Sequence, residues 1–163
     1  MIVRIHGEVY GCSASLSDYQ IMLGILENAG FKIVDDAKDS DLNLITTCVV
    51  KTPTEQRMIH RIKELTKLDK PLIVAGCMPK VEKRIIEKIN PKASLIGPDS
   101  IQKITDVAHA ALEGKKVVFL KDLREPKLCL PRVSRNDVIH ITEVSTGCDL
   151  SCSYCIVNLA KGR

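Results

Sequence analysis

Apolar positions change period repeatedly along this chain, and the changes predict alternating strands and helices. Residues 2–5 open in a strand pattern. "SDYQIMLGILENAG" then puts Tyr19, Met22, Leu23 and Leu26 on one helical face, with Gly30 as a C-terminal stop. Residues 31–34 make a short second strand, and "DLNLITTC" a third that runs to Cys48. In "TPTEQRMIHRIKELTKL" the core-facing positions are Met58, Ile59, Ile62 and Leu65. Thr52 as cap, Pro53 at the first helical position and Glu55 completing a capping box mark its start. "PLIVAGC" reads as a buried fourth strand ending at Cys77. A helix over 80–89, a strand over 93–96, a helix capped by Ser100 and running to Leu112, and an edge strand in "KKVVFL" follow.

Repeated strand–helix–strand units with short connections predict an α/β fold: a doubly wound parallel sheet of flavodoxin-like order 2-1-3-4-5. This first domain covers residues 1–120. "KDLREPKLCLPRVSRN" then brings two prolines, several basic residues and no periodicity, so 121–137 reads as a linker. "VIHITEVS" reads as a new strand leading into a cysteine loop, and 138–163 as the start of a second domain.

Composition narrows the class. The 163 residues are 45% hydrophobic and 27% charged, enough for one core and a little more. No long uncharged apolar run predicts a membrane span. The N-terminus reads as a strand without a signal-peptide pattern, which places the protein in the cytoplasm. Seven cysteines is an odd count, and a reducing compartment disfavours disulfides, so metal-bound thiolates become the better reading. A net charge of +4 suits an RNA partner and an ordinary enzyme alike. Aromatics at 3% argue against a base-stacking platform. No Gly-rich phosphate loop, serine–histidine arrangement or carboxylate pair stands out. His6, His60, His109 and His140 lack metal spacing and read as structural.

Cys12, Cys48 and Cys77 each fall at or just past the carboxyl end of the first, third and fourth strands. Those strands are neighbours in the expected order, about 4.8 Å apart, and such sheets bind ligands beyond their carboxyl ends. Three thiols would then converge, with Gly11 and Gly76 letting a bulky cluster approach the backbone. The plainer alternative is three separate core cysteines. Cys148, Cys152 and Cys155, spaced C-x3-C-x2-C in "STGCDLSCSYC", let one loop wrap an iron–sulfur cluster. Three ligands rather than four leave one iron of a 4Fe–4S cluster open. Structural zinc, with Cys129 as fourth ligand, is one alternative; otherwise Cys129 is an unliganded linker thiol. A small iron–sulfur electron carrier is another, although those normally hold a fourth cysteine nearby.

"CDLSCSYC" resembles the radical S-adenosylmethionine motif, and "YGCSASLSD", "TTCVV" and "AGCMP" resemble the N-terminal domain of the methylthiotransferases. Together they look like the tRNA methylthiotransferases. "GCMP", "IGPDSI" and "STGCDLSCSYC" are most similar to the archaeal and eukaryotic branch, which acts on N6-threonylcarbamoyladenosine beside the anticodon. The resemblance implies two 4Fe–4S clusters, a radical cluster on Cys148, Cys152 and Cys155 and an auxiliary one on Cys12, Cys48 and Cys77. It implies S-adenosylmethionine as source of the deoxyadenosyl radical and of the methyl group, and sulfur held at the auxiliary cluster. It leaves the electron donor and the sulfur source open. Tyr154 then either packs beside the cofactor or fills the loop core. Lys116, Lys121, Arg124, Lys127, Arg132 and Arg135 contact tRNA phosphates or form a solvated linker. Ser15 and Thr46 stand where the family often has Asn, whereas Asp18 matches its acidic position. Family members continue through a radical-enzyme barrel, so the expectation is an N-terminal fragment, inactive alone. The competing expectations are a binding module with a zinc site, or an electron carrier.

Overall fold

Among the described residues six strands build one parallel sheet: β1 (Arg4–Val9), β2 (Lys32–Val34), β3 (Leu42–Thr47), β4 (Leu72–Gly76), β5 (Ser94–Ile96) and β6 (Val118–Phe119). Their order is β2-β1-β3-β4-β5-β6, with every neighbouring pair parallel. The computed structural model describes residues 2–49, 52–123, 125–134, 138–150 and 152–162, the side chains of 52–54 excepted. Helices α1 (Ser13–Asn28) and α5 (Ile104–Leu112) cover one face, burying Leu23, Leu26, Val107 and Ala108 against Ile5, Leu44 and Ile73. On the other face α2 (Thr52–Lys67), α3 (Cys77–Val81) and α4 (Lys83–Ile89) bury Ile62, Leu65, Met78 and Ile86 against Ile45 and Val74. With both faces covered, central strands need apolar residues at every position, which is why "LIVAG" of β4 is buried throughout. The sheet order and the edge strand are those that the apolar pattern predicts. Among the described residues no helix is long and apolar enough to cross a membrane.

Three elements differ from expectation. The helix expected over 80–89 is two helices, because α3 starts at Cys77 directly off β4 and Glu82, at φ −122° and ψ 33°, breaks it from α4. Ser100 caps no helix. It lies in a 3-10 turn, Pro98–Lys103, where its buried hydroxyl donates to the Lys121 carbonyl at 2.7 Å, and α5 starts at Ile104. Residues 138–145 form no strand, since no strand of the described residues lies alongside to complete a ladder. The caps read at Thr52 and Pro53 fall on side chains outside the described residues.

The segment read as a linker is a strap along α1. The Val133 amide donates to the Gln20 carbonyl at 3.0 Å, and Arg132 donates to Ser17 Oγ at 2.9 Å and to the Ile141 carbonyl at 2.6 Å. Leu130 and Val133 add to the α1 core. A Cβ on Gly24 would stand 2.4 Å from the Pro131 carbonyl carbon. Glycine costs a helix interior about 1 kcal/mol relative to alanine, and here the strap backbone occupies the space a side chain would need. The strap also explains why Ser17, Asp18 and Gln20 are buried although they fall off the helix's apolar face. It supplies their partners.

Candidate metal centre

Register brings the first three cysteines together. β3 and β4 pair Thr47 with Gly76, so Cys48 and Cys77, each the next residue, leave the sheet side by side. β1 pairs Val9 with Thr46, and the Tyr10 amide donates to the Thr46 carbonyl at 2.9 Å, holding β1 beside β3 to its end. A Cβ on Gly11 would stand 3.0 Å from Cys48 Cβ, which puts the turn into Cys12 against Cys48. All three are free thiols; Cys12 is exposed and the other two are buried. The protein around the two glycines also requires them. Gly76, at φ 94°, would drive a Cβ to 2.4 Å from the Thr47 carbonyl oxygen, and Gly11 one to 2.8 Å from Ser15 Oγ. Both make room for neighbouring protein.

Cys12 caps α1 and Cys77 starts α3, which the sequence reading missed by starting these helices at Ser17 and Lys80. Leu16, one turn before Tyr19 and Gln20, was the available signal. Burial pushes the Cys12 thiol up, but the amides of Ser15 and Ala14, the Ser15 hydroxyl and Lys161 outweigh it, and the net shift is down. Burial pushes Cys77 up to about 11, opposed by Lys161 and assisted by Cys48, Cys12 and Asp18. Among the described residues no three His, Cys, Asp or Glu side chains stand close enough to share one metal ion. A single zinc ion with 2.3 Å bonds needs its sulfurs about 3.8 Å apart. The three thiols follow neighbouring strand ends rather than closing on a single ion. The donor set, three thiols with no disulfide, fits an iron–sulfur group.

The second cysteine loop closes on itself and docks at the same end of the sheet. The Cys148 amide donates to the Gly162 carbonyl at 3.2 Å, and the Cys155 amide to the Cys152 carbonyl at 3.1 Å. The helix that follows, α6 (Val157–Lys161), packs on α3, whose first residue is Cys77. Lys161 acts electrostatically on both Cys12 and Cys77. Tyr154 is 89% exposed, so it does not fill the loop core. Cys129 is exposed in the strap.

Of the residues read as phosphate contacts, Lys127 turns inward. It donates to Asp18 at 2.6 Å and to Glu143 at 3.3 Å, and Lys161 stands 3.7 Å from Glu143. The Lys127 and Asp18 side chains are only 9% and 3% exposed, so a phosphate could not reach the ammonium. Burial raises Asp18 to about 6 against the pull of Lys127, while Lys127 itself is raised because its two carboxylates outweigh its burial. Arg132 is spent on the strap. Lys116 donates to Glu87 at 2.7 Å, and Lys121 is exposed. Arg124 and Arg135 lie outside the described residues. This ion cluster joins α1, the strap, the segment before the loop and α6. A cavity of about 280 Å³ opens beside it, lined by Asp99, Asp122, Glu143 and Lys161 among others. The only advance sign of the cluster was Asp18, a carboxylate next to the apolar face of α1.

Residues 4–97 match the model of a family described as the uncharacterized protein family UPF0004. The chain is 36% identical over 163 residues to a probable threonylcarbamoyladenosine tRNA methylthiotransferase of Methanothermobacter thermautotrophicus, covering 99% of this chain and 38% of that protein. It is 35% identical over 164 residues to a protein of the same description from Pyrococcus abyssi, with 99% and 38% covered. It is 32% identical over 169 residues to the human threonylcarbamoyladenosine tRNA methylthiotransferase, with 99% and 29% covered. The chain therefore spans about a third of the length of the curated relatives it matches.

Proposed function

This chain belongs to the uncharacterized protein family UPF0004, and on that premise we propose that it is part of a tRNA methylthiotransferase. The substrate would be N6-threonylcarbamoyladenosine beside the anticodon, with an adenine C–H replaced by C–SCH3. The observation that carries this reading is the gathering of Cys12, Cys48 and Cys77 at three adjacent strand ends. The loop of Cys148, Cys152 and Cys155, seated through α6 on the helix that Cys77 begins, supports it. The descriptions of the archaeal and human relatives supply the substrate class.

An aromatic C–H offers neither an acidic proton nor a leaving group, so general acid–base groups have little to act on. Held by Cys148, Cys152 and Cys155, a 4Fe–4S cluster with one free iron would supply one-electron reduction of S-adenosylmethionine, and a second on Cys12, Cys48 and Cys77 would supply the sulfur site. The chain's own residues do the holding. The first turn of α1 favours the Cys12 thiolate, and the burial of Cys48 and Cys77 keeps water from their side of the site. Lys161 offsets the negative charge that gathered thiolates bring, and the Asp18–Lys127–Glu143 ion cluster fixes the loop's approach to the sheet. Of the basic residues read as phosphate contacts, exposed Lys121 is kept as the candidate to meet an RNA phosphate.

Iron and acid-labile sulfide per chain, after anaerobic reconstitution, test the reading. The wild type is compared with the triple alanine variants of Cys12, Cys48 and Cys77 and of Cys148, Cys152 and Cys155. Each variant is expected to lose its own share, about half of the iron and sulfide for two equal clusters. No loss from the first variant would make its cysteines core residues. Zinc without sulfide would leave a binding module, and iron clusters without S-adenosylmethionine binding an electron carrier.

A further inference from the structure

Ser15 stands inside the first cysteine site. It lies in the first turn of α1, three residues after Cys12, and is only 3% exposed. Its Oγ is 3.6 Å from Cys12 Sγ, within reach of a hydrogen bond to sulfur. The Gly11 turn lies against both Ser15 and Cys48: a Cβ on Gly11 would lie 2.8 Å from Ser15 Oγ and 3.0 Å from Cys48 Cβ. The hydroxyl thus meets the Cys12 sulfur directly, with the Gly11 turn packed between Ser15 and Cys48. While both groups carry protons, either atom can donate. A cysteine bound to metal is a thiolate with no proton, so the hydroxyl must then be the donor and the sulfur the acceptor. A second buried hydroxyl lies close in the fold. Among the described residues Thr46 Oγ1 has no hydrogen-bond partner, and Thr46 is fully buried two residues before Cys48 on the strand beside Val9.

We propose that Ser15 is a positioning residue for the metal–sulfur group of the first site, its hydroxyl donating to the Cys12 sulfur. The inference rests on the reading that Cys12, Cys48 and Cys77 hold an iron–sulfur cluster. A donor aimed at a ligand sulfur fixes its direction and stabilises whichever redox state carries more negative charge. Ser15 therefore makes the cluster easier to reduce and slower to lose iron. Its packing role alone would do neither, because alanine fills nearly the same volume.

The test uses the whole chain carrying Cys148→Ala, Cys152→Ala and Cys155→Ala, so that a single cluster is read. After anaerobic reconstitution, Ser15→Ala and Ser15→Thr are compared with this parent. Iron and sulfide content, the midpoint potential in a dithionite titration and the rate of iron loss to a chelator are measured. Ser15→Ala is expected to keep the parent's iron, shift the potential to more negative values and release iron faster, with Ser15→Thr restoring both. Loss of iron from Ser15→Ala but not from Ser15→Thr also supports the hydroxyl. A Ser15→Ala cluster with the parent's potential and release rate overturns the inference, as does equal damage in both variants. A parent that binds no iron or sulfide removes the cluster reading itself, and this inference with it.

Discussion

Gly24→Ala separates the strap from a loose linker by the sign of its effect. In a solvent-facing helix interior this substitution would stabilise the protein by about 1 kcal/mol. Here the new Cβ would stand 2.4 Å from the Pro131 carbonyl carbon and 2.5 Å from both the Arg132 nitrogen and the Pro131 oxygen. Carbon atoms ordinarily sit about 3.5–4.0 Å apart, so the strap must retreat by roughly 1 Å. That retreat takes the Val133–Gln20 bond beyond its 3.0 Å and the Arg132–Ser17 bond beyond its 2.9 Å. Losing one neutral and one charged hydrogen bond costs about 3 kcal/mol, against the gain of about 1, a net loss of about 2. The helix gain is common to the seated and open strap, so opening shifts by the full loss of about 3 kcal/mol, and at tenfold per 1.4 kcal/mol the open strap becomes roughly 100-fold more populated. Hydrogen exchange at the Val133 amide reads this population directly, and limited proteolysis within 121–134 reads it independently. Unchanged protection at Val133 together with a raised melting temperature would refute the seating of the strap on α1.

Two further perturbations probe the charges. Lys127→Met takes the bonded cation from buried Asp18 and leaves Glu143 with Lys161 alone, and should cost about 3 kcal/mol in urea denaturation followed by far-UV circular dichroism. Adding Asp18→Asn to that variant should recover part of the loss; no recovery would mean that Lys127 contributes by packing. Glu8 accepts hydrogen bonds from His6, Arg61 and Tyr10. Burial alone would raise it, yet these partners hold it down to about 2, from an ordinary value of 4.5. A folded-state value below the unfolded one gives stability that is present above pH 4.5 and is lost as pH falls toward 2. Glu8→Gln should flatten that acid limb and cost on the order of 1–2 kcal/mol at neutral pH after solvent screening. An acid limb unchanged in Glu8→Gln would place the loss elsewhere.

The amino-acid sequence determined the sheet and the roster of cysteines. Strands buried on two faces must be apolar at consecutive positions, and that demand is met within each segment, so β3 and β4 are legible locally. The placement of Cys12, Cys48 and Cys77 just past strand ends follows from the same pattern, because parallel order carries the residues that follow each strand to a common edge. The tertiary structure alone decided what covers α1 and what holds the second cysteine loop. Lys127 meets Asp18 across 109 residues, and nothing within either neighbourhood marks the partner. A strand over 138–145 was read from a valid local pattern and fails because strand pairing is a property of two segments. Gly24, Ser17 and Gln20 look like defects in a helix until the strap's backbone and amides are set against them. Side-chain period is a short-range signal that propensity and burial write into each element. The meeting of distant polar groups is set by the path of the whole chain, and only the folded molecule records it.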